Sequence, residues 1–174
     1  MTRPPFAPVT ATELHQVWVQ LGRQPRDVVG IAARCRCGAP TVVATQPRLD
    51  DGTPFPTFYY LTHPAATAAL SALEADQLMV ELNARLAADP ELARAYRAAH
   101  ESYLSDRAQF GEVPEIAGTS AGGMPTRVKC LHAVAAHSLA AGSGVNPIGD
   151  AALAACAWTP ERCECPDYSP STPE

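Results

Sequence analysis

Two cysteines one residue apart, in Cys35-Arg36-Cys37-Gly38, are the feature of this sequence best suited to chemistry. Thiolates on one tight turn can chelate a soft or borderline ion, and the glycine lets the backbone fold around it. Two ligands do not complete a site. The flanking β-rich runs, Val28 to Ala33, Thr41 to Thr45 and Phe58 to Leu61, predict a three-stranded antiparallel meander. In such a sheet the end of strand one, the start of strand two and the end of strand three share one edge. His63 follows strand three directly and is expected beside the Cys35/Cys37 turn. Cys130, in RVKCLHAVAAH, is the fourth donor, so the metal set read from the sequence is Cys35, Cys37, His63 and Cys130. On a helix opened by Pro125, Cys130 and His137 share a face but stand roughly 10 Å apart, and His132 points nearly opposite Cys130. His132 is therefore expected as a core histidine on the side of Val128 and Leu139. His137 is expected behind the ligands or in solvent.

A competing ligand set comes from Cys163-Glu164-Cys165, a second close pair with Cys156 just upstream, which could replace His63 and Cys130 in a four-cysteine site. The inert alternative makes Cys35 and Cys37 half-buried turn thiols and Cys130 a small core hydrophobe. Zinc is the first metal because mixed sulfur and imidazole ligation suits it; an iron–sulfur cluster is the main rival. Four protein ligands would make the site structural, whereas an open position would permit Lewis-acid chemistry.

A second constellation is the glycine-rich run from Gly118 to Lys129. Ser120, Gly122 and Gly123, ahead of a predicted helix start and followed by Arg127 and Lys129, form a candidate anion-binding loop, because free backbone N–H groups at such a terminus favour negative charge. The run lacks the spacing of a Walker motif and does not follow a strand as a dinucleotide fingerprint does. The plain alternative is a flexible loop with solvated basic residues. Arg23 and Arg26 could add positive charge. Glu112 and Glu115 flank Pro114 and offer a base by position alone. A nucleophilic role for Cys130 would need a hydrogen-bonded base, and the predicted helix places neither histidine well for it.

These groups need a scaffold, and the rest of the sequence supplies one. Thr10 and Glu13 have capping-box spacing before Leu14, Val17, Trp18 and Leu21, with Gly22 as a stop. Pro64 opens an alanine- and leucine-rich helical stretch to about Ala88, broken near Asp76. Pro90 restarts a helix whose Leu92, Tyr96, Ala99 and Tyr103 make one buried stripe. Another helix is expected from Pro125 to Gly142, and a last one from Ile148 to Ala157. The chain has 174 residues, 47% of them hydrophobic, enough for one core without staples. Its formal net charge of −5 and the lack of a basic block argue against nucleic-acid binding. No apolar run reaches membrane-spanning length, so no membrane partner is expected. With no secretory signal, the six cysteines read as thiols or ligands in a bacterial-style cytoplasm rather than as a disulfide framework.

The segments QLGRQPRDVVGIAARCRCGAP, DGTPFPTFYYLTHP, DPELARAYRAAHESYL and SAGGMPTRVKCLHAVAAHSLAAGSGVNP together resemble the actinobacterial domain-of-unknown-function family 501, over roughly Val17 to Ala154. The run GGMPTRVKCLH carries most of the specificity. The resemblance implies no transferable activity and no catalytic residues. It implies a partner in division or phosphate metabolism, because genes of the family lie near those for a small septum-forming protein and an exopolyphosphatase-like enzyme.

The sequence thus predicts a single α+β domain over residues 10–158, a small three-stranded antiparallel sheet with about five flanking helices, and a flexible tail over residues 159–174. Three functions are compatible with it. The first is a metal-fixed binding module that presents an anion loop to a small anionic ligand or protein partner. The second is a metal-assisted hydrolase for a phosphorylated or acidic substrate, with Arg127 and Lys129 orienting the anion and Glu115 as base. The third is a regulatory or scaffold protein for cell division.

Overall fold

The computed structural model describes residues 3–162 and 165–166. Its elements run α1 (Ala11–Leu21), β1 (Val28–Arg34), β2 (Pro40–Thr45), β3 (Tyr59–Leu61), α2 (Pro64–Ala75), α3 (Leu78–Ala88), α4 (Pro90–Ala108), a 3-10 turn (Pro114–Ile116), α5 (Leu131–Ala141) and α6 (Pro147–Ala155). The strands form the expected antiparallel meander in the order β1-β2-β3, with Ile31 opposite Val43 and Val43 opposite Tyr60. The architecture is α+β, with six α-helices around the sheet among the described residues.

Strand alternation divides the core in two. Val42, Ala44, Tyr59 and Leu61 pack into the large cluster built with α2 to α6, while Ile31 and Val43 point the other way onto Val17 of α1. Every residue of β2 is buried, because the sheet is covered on both faces. In α1 the capping box forms in full: Glu13 donates its N–H to the Thr10 hydroxyl and returns its carboxylate to the Thr10 N–H. Only part of the predicted α1 stripe is used. Val17 is buried and Leu21 half-buried, whereas Leu14 and Trp18 remain exposed.

The long helical stretch breaks at Asp76 and Gln77, where Gln77 takes a left-handed conformation between α2 and α3. On α4, Tyr96, Ala99 and Tyr103 form the buried stripe, with Leu92 partly buried. Among the described residues, no helix is long and apolar enough to cross a membrane.

One element differs from the sequence reading. The helix expected at Pro125 begins at Leu131, and residues 122–129 form a closed loop instead. Lys129 donates its N–H to the Gly122 carbonyl at 2.7 Å and Arg127 to the Gly123 carbonyl at 3.2 Å, with both glycines at positive φ. Asn83 of α3 completes the capture. Its Oδ1 accepts the Val128 N–H and its Nδ2 donates to the Val128 carbonyl, each at 2.9 Å. The backbone groups a first helical turn would have used are taken by the loop and by a side chain 45 residues away. The last helix spans Pro147–Ala155 and ends two residues before the expected Ala157.

Candidate metal and anion sites

The meander brings the ends of its strands together as the sequence predicts. Cys35 follows β1 directly, and its N–H donates to the Ala39 carbonyl at 2.8 Å to close the turn into β2. His63 ends the β3 segment and serves as N-cap of α2. The C-terminal segment arrives at the same place. Arg36 donates its N–H to the Pro160 carbonyl at 3.0 Å, and the Trp158 ring lies 5.1 Å from that of His63. The resulting group is Cys35, His63 and Cys165, whose ligand atoms all lie within 4.8 Å of one another. Cys35 and His63 are buried, and the His63 Nε2 is 3.1 Å from the Cys165 sulfur. Cys37 is exposed on the turn and does not join this group. Cys163, the other sulfur of the tail pair, lies outside the described residues.

Two thiolates and an imidazole at this separation can chelate one zinc ion. In tetrahedral zinc sites, Zn–S near 2.3 Å and Zn–N near 2.0 Å place adjacent sulfur and nitrogen atoms about 3.5 Å apart. The same atoms without metal form a hydrogen-bonded pair. The His63 Nδ1 faces the Ala66 N–H at 3.4 Å and accepts from it when the ring proton sits on Nε2, which then donates to Cys165. A metal held by Nε2 would require the ring proton on Nδ1, in place of the long cap contact with the Ala66 N–H.

Cys130 belongs to a different constellation. Its backbone is extended (φ −153°, ψ 115°), and it forms the N-cap of α5. The phase argument that set His132 opposite Cys130 does not apply to an extended residue. The Cys130 sulfur lies 3.8 Å from the His132 Nδ1, and Glu74, near the end of α2, puts its Oε1 3.2 Å from that same nitrogen. Cys130, His132 and Glu74 form a second group with ligand atoms mutually within 4.8 Å. The neighbouring Cys130 thiol, helped by the Thr67 carbonyl and Glu74, pushes the pKa of His132 up to about 9 against the opposing effect of burial. His132 is thus a partly exposed polar residue, not the core histidine expected. His137 has the reverse fate. It is fully buried between Tyr59 and Tyr103, and neither solvent nor ligand neighbour.

The glycine-rich loop and this second group share a cavity of about 670 Å³. Its walls include Ser120, Gly122, Gly123, Arg127, Lys129, Cys130 and His132, together with Thr67 and Tyr60. Among the described residues no carboxylate lines it, although the chain as a whole is acidic. Arg127 and Lys129 are exposed and ion-paired with no carboxylate among the described residues. The Gly122 and Gly123 amides donate to no protein acceptor among those residues. Ser120 is buried and engaged with the His100 Nδ1 at 2.8 Å; burial lowers the pKa of that histidine, which favours its neutral form. Of the other polar candidates, Glu115 pairs with Arg48 and does not line this cavity, and Arg26 pairs with Asp51.

Glu74 and Asn83 are the site residues that the sequence reading missed. Glu74 sits in an ordinary amphipathic helix, and its relevance depends on where α5 begins. Its Oε1 accepts the Leu131 N–H at 2.7 Å and so caps that helix.

Residues 31–154 match the family described as "Protein of unknown function (DUF501)", and the chain belongs to domain-of-unknown-function family 501. No curated protein and no solved structure matches the chain. The matched span contains Cys35, His63, Glu74, Cys130, His132 and the glycine-rich loop, and ends before Cys165.

Proposed function

We propose that this protein is a zinc-binding module whose ion, held by Cys35, His63 and Cys165, ties the C-terminal segment to the end of the sheet, and whose glycine-rich loop receives a small anionic ligand. The observation that carries the reading is the convergence of three donors from three distant segments within 4.8 Å. Zinc suits two thiolates and an imidazole, and its role would be to tie together three segments distant in the chain. The anion role rests on the cavity: Gly122 and Gly123 supply amides, Arg127 and Lys129 supply charge, and no carboxylate among the described residues lines it. The Ser120 hydroxyl is engaged with the His100 Nδ1 and the Met124 carbonyl.

Native mass spectrometry of the full chain tests the metal claim. Freshly purified protein should carry zinc, and Cys35→Ser should lose one ion, whereas Cys156→Ser should keep it. Full retention of zinc by a folded Cys35→Ser protein would refute the assignment. For the loop, inorganic phosphate binding measured by calorimetry should weaken at least tenfold in the double variant Arg127→Gln/Lys129→Gln; unchanged affinity would remove the loop from the account.

A further inference from the structure

The second donor group differs from the first in a way that decides its chemistry. A Cys–His–Glu set can be a nucleophile relay or a metal chelate. A relay needs the thiol on one ring nitrogen and the carboxylate on the other. Here both partners meet the same nitrogen, Nδ1, with the Cys130 sulfur at 3.8 Å and the Glu74 Oε1 at 3.2 Å. The far nitrogen, Nε2, is 3.1 Å from the Thr67 carbonyl, which can only accept, and 3.2 Å from the Ser71 hydroxyl, which can accept as well, so Nε2 keeps its proton, and the proton on Nδ1 is the one a metal would displace, directing that lone pair into the group. A histidine whose other N–H is fixed by a carbonyl is oriented as metal-ligating histidines are. The separations also fit. Tetrahedral zinc geometry places adjacent sulfur and nitrogen ligands about 3.5 Å apart and nitrogen and oxygen about 3.3 Å apart.

We infer that Glu74, Cys130 and His132 hold a second zinc ion, whose open fourth position faces the 670 Å³ cavity and takes an oxyanion of the phosphate class. Cys130 and His132 line that cavity beside Arg127 and Lys129, so an anion bound there can give one oxygen to the metal and the others to the two cations. Three protein ligands with one open position is the arrangement of a Lewis-acid site. The inference deepens the anion-loop reading but uses different metal ligands from the proposed structural zinc, so the two can fail separately.

Zinc per chain, measured by elemental analysis on protein purified with zinc present, is the test. Wild type should hold two ions. Glu74→Gln, which retains a carbonyl to accept the Leu131 N–H, and His132→Ala should each hold one. Cys35→Ser should also hold one, and Cys35→Ser/His132→Ala none. If Glu74→Gln and His132→Ala, folded by circular dichroism, keep the wild-type count, the group is a capping ion pair and the inference is overturned. If Cys35→Ser alone leaves the count unchanged, the structural-zinc proposal fails and this one stands. Cobalt loaded into Cys35→Ser reports the open position: inorganic phosphate should shift its visible bands, and an unchanged spectrum would contradict ligand access from the cavity.

Discussion

Lowering the pH should destabilise the fold through His137, to an extent that its surroundings set. Its ring is fully buried, stacked on Tyr59 with centroids 5.8 Å apart and edge-on to Tyr103 at 5.2 Å. Nδ1 faces the Asn146 amide nitrogen at 3.2 Å, and Nε2 has no hydrogen-bond partner among the described residues. Burial holds its pKa down at about 4, with Arg3 pushing the same way and Asp106 and Asp150 opposing. In the unfolded chain an ordinary histidine protonates near 6.5. Between those values the unfolded state binds a proton that the folded state refuses, so stability falls as pH drops from about 6.5 to about 4 and this contribution levels off below. The full difference of roughly 2.5 units corresponds to about 3 kcal/mol, of which about 2.5 kcal/mol is lost by pH 4.5. Urea unfolding at pH 7 and pH 4.5, with chelator present so that thiolate–metal equilibria do not contribute, should show this loss in wild type. In His137→Gln the loss should shrink by about that amount, whatever the variant's stability at neutral pH. An equal loss in both proteins, or an NMR titration of His137 centred near 6.5, would refute the placement of this ring in the core.

Gly149→Ala should cost on the order of 1–3 kcal/mol by overpacking, because a Cβ there would lie 2.2 Å from the Val134 carbonyl oxygen where α6 crosses α5; a melting temperature equal to wild type would contradict that packing. Asp106→Asn should destabilise by about 1–3 kcal/mol in denaturant unfolding, since this buried carboxylate accepts the Tyr59 hydroxyl at 2.8 Å and two guanidinium bonds from Arg3. Truncating Arg3 as well should add little, because the two substitutions remove one shared interaction.

Much of the fold follows from local rules that the sequence displays openly. The Thr10/Glu13 box caps α1 because both partners lie within one turn, and Pro64 and Pro90 sit in the first turn of helices because their missing N–H costs nothing there. The meander was legible from its β-rich runs and turn clusters, and with it the meeting of Cys35 and His63. What escaped was set by contacts distant in sequence. Asn83 takes both backbone groups of Val128, so the chain after Pro125 closes into a loop and α5 starts six residues later than its proline suggests. That shift changes the direction of Cys130 and hides its partnership with Glu74 and His132. His137 was misplaced for the same reason, since its face depends on a helix whose start was misread. Cys165 was visible as an alternative donor, and the turn from Cys35 to Ala39 meets its segment through the Pro160 carbonyl.

X-ray absorption at the zinc edge, measured on Glu74→Gln protein so that only the ion at the end of the sheet contributes, bears most directly on the central claim. The account predicts zinc with sulfur neighbours near 2.3 Å and a nitrogen neighbour near 2.0 Å. Substitution of His63 by Ala should remove the imidazole scattering. Protein free of zinc, or zinc surrounded by light atoms alone, would contradict it.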